Sequence, residues 1–183
     1  MFRRPFGRSL RRIQVGNIPP ALQRANQLMT SGQYVEAAGI FEQFAKGALA
    51  RNGPRAPWFF LQAGQARLLT GQIPAALAHI QQGLELFKQR GQLQRLHHAG
   101  MRFVTELKAR NLISEAKQIE DYLKTNLPAG FVPAPGPSQG KPKPILPTTC
   151  PGCGGPLRSD EVDWVDELTA ECPYCGSSVR AQG

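Results

Sequence analysis

Between positions 21 and 127 apolar residues return at steps of three and four. Tyr34, Ala37, Ala38, Phe41, Phe44, Ala45, Ala48 and Leu49 follow one another in this way, which puts them on one face of a helix. The breaks between such stretches are short. Gly32, Gly53, Gly71 and Gly91 close apolar-periodic runs, where a left-handed cap is expected. Pro57 and Pro74 stand where a first helical turn begins, the one place a helix accepts proline. The pattern predicts about six helices in antiparallel pairs. Near the C terminus the period shortens to two. Residues 161–165 and 168–172 predict two strands about an acidic turn at Asp166 and Glu167, with Val162 and Trp164 on one apolar face. The fold class expected is therefore mainly α, antiparallel helix pairs with a small β-hairpin.

The helix pairs repeat. Gly32-Gln33-Tyr34-Val35-Glu36-Ala37-Ala38 is answered by Gly71-Gln72-Ile73-Pro74-Ala75-Ala76-Leu77 and again by Asn111-Leu112-Ile113-Ser114-Glu115-Ala116-Lys117. Ala37, Ala76 and Ala116 are thus 39 and 40 residues apart, a period that signals stacked helix pairs. In each copy a small residue ends the first helix and a hydrophobe anchors the turn. Alanine then allows close approach. These residues resemble the tetratricopeptide repeat: Gly64, Gly71, Ala76, Ile80, Gly83 and Leu84 in the second copy, Ala25, Gly32, Tyr34, Ala37 and Phe41 in the first, Asn111, Ile113 and Ala116 in the third. The longer period implies lengthened second helices. The resemblance also implies that the first helix of each pair lines a concave surface. That alignment would place Leu22, Asn26, Met29, Trp58, Leu61, Gln65, Leu68, Met101, Thr105 and Lys108 in a partner groove, mostly apolar, with Lys108 its only charge.

Composition divides the chain further. Residues 128–147 hold seven prolines and three glycines, so neither helix nor sheet runs through them. They predict a semi-rigid spacer, at most about 60 Å long. The net charge of +9 is unevenly spread: +5 over residues 1–20, +6 over 21–127, +2 over 128–147 and −4 over 148–183. Four segments follow: a basic arm expected to be disordered (1–20), a helical repeat domain (21–127), the linker (128–147) and an acidic tail domain (148–183). The arm places Phe2, Phe6, Leu10 and Ile13 at helical steps among five arginines, a composition suited to an anionic surface or a phosphate backbone. No apolar run approaches the roughly 18 residues of a membrane span, and the start shows no secretory pattern. No integral membrane association and a cytoplasmic location are expected.

The tail carries the clearest chemistry. Cys150-Pro-Gly-Cys153 and Cys172-Pro-Tyr-Cys175 form two C-x2-C pairs with 18 residues between, spacing that fits a four-thiolate metal site. Each second cysteine is followed by glycine, which frees the backbone for a tight turn. The arrangement resembles a zinc ribbon, two C-P-x-C-G knuckles joined by a β-hairpin. The resemblance implies one structural Zn2+ on Cys150, Cys153, Cys172 and Cys175, closed to water and substrate, with Trp164 covering the site. A segment this small cannot build a sufficient core, so the metal would supply its folding energy. An iron centre of rubredoxin type and a dithiol redox pair share these knuckles.

No nucleophile–base pair, phosphate-cradling loop or catalytic pair of carboxylates can be picked out. His79, His97 and His98 are scattered without acid or cysteine partners in sequence. The function expected is a non-catalytic protein-interaction adaptor: a helical-repeat groove for a protein or peptide partner, tethered to a zinc ribbon. The alternative is a nucleic-acid-associated regulator using the basic arm and helical surface. The ribbon itself lacks the Lys and Arg that phosphate neutralisation requires. Its opposite charge instead predicts weak docking of Asp160, Glu161, Asp163, Asp166 and Glu167 on the basic part of the chain.

Overall fold

Six helices stand in the order that the periodicity predicts. The computed structural model describes residues 18–133, 144–159, 162–165 and 168–181; most of the expected arm and the middle of the linker lie outside the described residues. The helices are α1 (Pro20–Thr30), α2 (Tyr34–Ala50), α3 (Ala56–Leu69), α4 (Ile73–Gln89), α5 (Leu93–Ala109) and α6 (Ile113–Asn126). Each packs on the next in sequence. The connections after α1, α3, α4 and α5 are three residues long, too short for anything but a reversal of direction.

One device makes these reversals. Gly32, Gly71, Gly91 and Asn111 adopt φ of 79°, 76°, 66° and 62°. The amide of the following residue then returns to the carbonyl five positions back: Gln33 to Leu28, Gln72 to Arg67, Gln92 to Phe87 and Leu112 to Leu107, at 2.9–3.0 Å. This closes the helix end with the left-handed cap expected of glycine or asparagine. At the α2–α3 turn the sequence expectation fails by one residue. Asn52, at φ 49°, takes the left-handed position, and the Gly53 amide makes the return bond to Ala48 at 2.7 Å.

Small residues set the distance between helices. A side chain at Gly64 would put its first carbon 2.7 Å from Ile80 Cγ1, and one at Gly83 would meet Leu61 Cδ2 at 2.8 Å and the Pro57 carbonyl at 2.9 Å. Phe41, Phe87 and Phe103 fill the resulting interior and are fully buried. The apolar residues form two clusters. One runs through α3–α6. The other joins α1–α3 to the C-terminal segment, with all four cysteines inside it.

That segment holds three short antiparallel strands, β1 (Asp163–Trp164), β2 (Thr169–Glu171) and β3 (Ser178–Arg180), in the order β1-β2-β3. Trp164 faces Ala170, and Ala170 faces Val179. The hairpin was legible in the sequence; β3 was not, since a three-residue strand with one apolar position carries no period. Ahead of β1, Thr149 bridges Pro156 and closes the first knuckle.

Candidate metal centre and its seat on the helices

The two cysteine pairs come from two turns, one ahead of β1 inside the Thr149–Pro156 bridge and one between β2 and β3. In the first, the Gly154 amide bonds the Cys150 carbonyl at 2.8 Å; in the second, the Gly176 amide bonds the Cys172 carbonyl at 2.8 Å. Gly154 and Gly176 take φ of 72° and 66°, so glycine at each position relieves a backbone that other residues resist. The turns also aim amides at sulfur. Gly152 N donates to Cys150 Sγ at 3.3 Å, Gly155 N to Cys153 Sγ at 3.5 Å, and Tyr174 N to Cys172 Sγ at 3.4 Å.

Folding brings the four sulfurs within 4.8 Å of one another, all on buried residues. Cys150 Sγ is 3.8 Å from Cys175 Sγ, and Cys153 Sγ is 3.7 Å from Cys172 Sγ. Around a tetrahedral ion with sulfur bonds of about 2.3 Å, neighbouring sulfurs stand about 3.8 Å apart. The donor set fits a metal ion closely. It fits the bare thiols poorly, because four sulfurs this close cannot all ionise unaided. Contact with the Cys150 sulfur, before burial, pushes the Cys153 and Cys172 thiols well up, whereas the Cys150 thiol is lowered to about 7 chiefly by its contact with Cys153.

The knuckles rest on α1 and α3, and the neighbouring strand β2 on α5. From α1, Asn26 Nδ2 donates to the Cys153 carbonyl at 2.7 Å; from α3, Gln62 Nε2 donates to the Pro173 carbonyl at 3.2 Å. Both amides are buried. From the start of α3, Arg55 reaches the Gly152 carbonyl at 3.4 Å and Ser177 Oγ at 3.0 Å. From α5, Arg95 Nε donates to Glu171 Oε2 at 2.8 Å, and Arg95 Nη2 pairs with Glu171 Oε1. The bond to Glu171 raises the Arg95 pKa further above its ordinary value. A side chain at Gly176 would overlap the Trp58 indole. Among the described residues, contact with the helices runs through the knuckles and Glu171. Asp160, Glu161, Asp166 and Glu167 lie outside the described residues.

The expected groove residues are not gathered on one open face. Leu22, Leu61 and Leu68 are fully buried between helices; their apolar side chains satisfy the interior first. Asn26 and Trp58 lie under the knuckles. Met29 and Gln65 line what stays open, a cleft of about 440 Å3 bounded also by Arg102, Glu106, Pro156 and Tyr174. Gln65 Nε2 donates to Glu106 there at 2.8 Å. Met101 is exposed on another surface beside Leu127 and Phe131. Thr105 bonds back to the Met101 carbonyl, and Lys108 pairs with Glu120. Trp164 donates its indole N–H to the Ser159 carbonyl; the aromatic rings against knuckle glycines are Tyr174 at Gly155 and Trp58 at Gly176. Sequence reasoning passed over Gln62 and Arg55. A glutamine directly after the apolar run Pro57-Trp58-Phe59-Phe60-Leu61 was the available signal for Gln62.

These features define a mainly helical protein with a small β-hairpin domain and a four-cysteine cluster suited to a metal ion. Comparison with family models, curated proteins and solved structures finds no match to this chain. Among the described residues no helix is long and apolar enough to cross a membrane.

Proposed function

We propose that this chain is a non-catalytic protein-interaction adaptor, a tetratricopeptide-like helical layer carrying a zinc ribbon with one structural Zn2+. The observation that carries this is the use of α1 and α3 to hold main-chain carbonyls through buried side-chain amides, Asn26 on Cys153 and Gln62 on Pro173. An amide that grips a carbonyl without reading its side chain is peptide-recognition chemistry. The ribbon occupies part of that surface, and the cleft beside it offers Met29 and Tyr174 as apolar contacts with Gln65, Arg102 and Glu106 as polar ones. A protein segment of the partner would lie there.

Zinc is the ion that suits four thiolates with no open position, since it has no redox chemistry to protect and accepts a closed tetrahedral shell. The ion would hold the two knuckles in shape. Arg55, Asn26 and Gln62 would orient them, and no substrate position remains at the metal. Elemental analysis of protein purified under reducing conditions should find one zinc per chain; iron, or no metal, would remove this part of the proposal. For the partner, a photo-crosslinker placed at Gln65 should capture a protein that one placed at Ser114 does not, and Tyr174→Ala should abolish the capture. Binding of RNA or DNA with a steep salt slope, and no protein at Gln65, would favour the basic arm and the nucleic-acid reading instead.

A further inference from the structure

Four thiolates around a divalent cation carry a net charge of about −2. In a buried site such a charge must be met by donors. The knuckles meet part of it with their own amides, at Cys150, Cys153 and Cys172. At Cys175 the polar neighbour is a hydroxyl, Ser177 Oγ, 3.2 Å from the sulfur. A hydroxyl has one proton to give. Arg55 donates to that same Oγ at 3.0 Å, which fills an acceptor position on the oxygen and leaves its proton for the sulfur. The other arm of the guanidinium lies 3.4 Å from the Gly152 carbonyl in the first knuckle. One side chain of the helical layer thus spans both halves of the metal site and brings a positive charge to it.

We infer that the helical layer completes the metal centre: Arg55, acting through Ser177 and Gly152, with Asn26 and Gln62 on the knuckle carbonyls, is an outer shell that tightens metal retention and makes it depend on the ribbon being seated. The inference rests on the metal site proposed above. With the sulfurs held together, the carbonyls of Cys153, Pro173 and Gly152 stand within reach of Asn26, Gln62 and Arg55. Seating and metal binding therefore favour the same conformation, and whatever factor the seat adds to metal affinity, the metal returns to the seat. Arg55 is the group least easily replaced, because its planar fork makes two bonds to two different turns, which an ammonium cannot reproduce. It is a positioning residue and touches no ligand sulfur.

Zinc affinity of the full chain, measured by competition with a chromophoric chelator, tests this. Loss of an outer-shell partner commonly costs about 10- to 100-fold in metal affinity, and Arg55→Met should fall in that range, with Arg55→Lys between it and the wild type. Gln62→Leu should weaken binding in the same direction without altering the charge. A second readout follows the seat itself. The chain has two tryptophans, so in a Trp164→Phe background the emission belongs to Trp58, which is 3% exposed. Chelation should shift that emission to the red as the knuckles leave it, while helical circular dichroism persists. Wild-type zinc affinity in both Arg55→Met and Gln62→Leu, or an unshifted Trp58 after the metal has gone, would overturn the inference. A wild-type chain that binds no zinc would instead remove the metal reading beneath it.

Discussion

The helical layer and the ribbon are held together by different means. In the helices, burial of whole side chains dominates: Phe41, Phe87, Phe103 and Leu107 lie in clusters formed as the other helices close around a largely buried α3, and each buried side chain of this size contributes about 1.5–3 kcal/mol. The ribbon has few such residues. Leu146, Leu157, Val162, Ala170 and Val179 are its buried apolar positions among the described residues, and they merge with those of α1–α3 rather than forming a separate core. Its shape depends on four sulfurs, a set of backbone bonds and the surface beneath it. A helix in this layer can lose one contact and keep its place. The ribbon cannot lose its centre.

The largest effect should come from breaking that centre. Two parts joined by a Pro-rich linker would be expected to melt independently, so that Cys172→Ser unfolds the ribbon alone. The contacts of Asn26, Arg55, Trp58, Gln62 and Arg95 with the ribbon revise that expectation. Cys172→Ser, or chelation of the wild type, should abolish the ribbon's structure and also lower the helical melting temperature. Losing about 1–2 kcal/mol of seating would shift a layer of this size by about 5–15 °C. Circular dichroism at a helical wavelength measures it, and an unchanged midpoint would mean that the two parts are energetically separate.

The converse experiment damages the helices and spares the centre. Gly83→Ala drives a methyl toward the Pro57 carbonyl, a backbone atom that cannot turn aside, and toward Leu61. Overpacking of this kind costs about 1–3 kcal/mol. The melting midpoint should fall while zinc content at 25 °C stays at the wild-type ratio. Loss of zinc together with stability would show that the α3–α4 spacing reaches the knuckles.

Between these lies the ion pair across the interface. Glu171 is buried and Arg95 only partly so. Arg95→Leu leaves a carboxylate facing apolar surface and should cost about 1 kcal/mol after allowance for solvent access. The double variant Arg95→Leu with Glu171→Gln should recover most of that. Equal losses from single and double variants would show that the pair contributes packing and not charge.

The same contrast explains what was legible in the sequence. Helices announce themselves because one face must be apolar every third or fourth residue, and their ends because Gly32, Gly71, Gly91 and Asn111 must accept a positive φ. The C-x2-C spacing announced the cysteine cluster for a comparable reason, as ligand geometry constrains residues close in sequence. Contact between the parts left no period to detect. Asn26 and Gln62 are single polar residues on otherwise buried faces, and their partners are main-chain carbonyls over a hundred residues away. The charge split did point to docking, but it named the acidic hairpin, whose acidic side chains at 160, 161, 163, 166 and 167 lie outside the described residues. Glu171, beside Cys172 of the cysteine cluster, makes the described ion pair with the helices.

The smallest effect expected separates the two parts in acid. His97, on α5, is half-buried beside His98 and Phe131, with ring centroids 5.7 and 5.6 Å apart, and its Nδ1 has no hydrogen-bond partner among the described residues. Burial first, and the neighbouring His98 second, lower its pKa below the ordinary 6.5. The unfolded chain therefore takes up a proton near that value before the folded chain does. The helical layer should lose stability as pH falls through about 6.5 toward the lowered folded value, and no further contribution from this group is lost below that. With the proposed metal bound, the ribbon would respond to acid for another reason, since protons would compete with the ion for the thiolates. His97→Phe removes the first effect and leaves the second. It should flatten the fall in helical melting temperature between pH 7 and 5 by a few degrees, with the pH of zinc release unmoved. An equally steep fall in the variant would assign the acid sensitivity of the helices to the departing metal, and so to the seat of the ribbon.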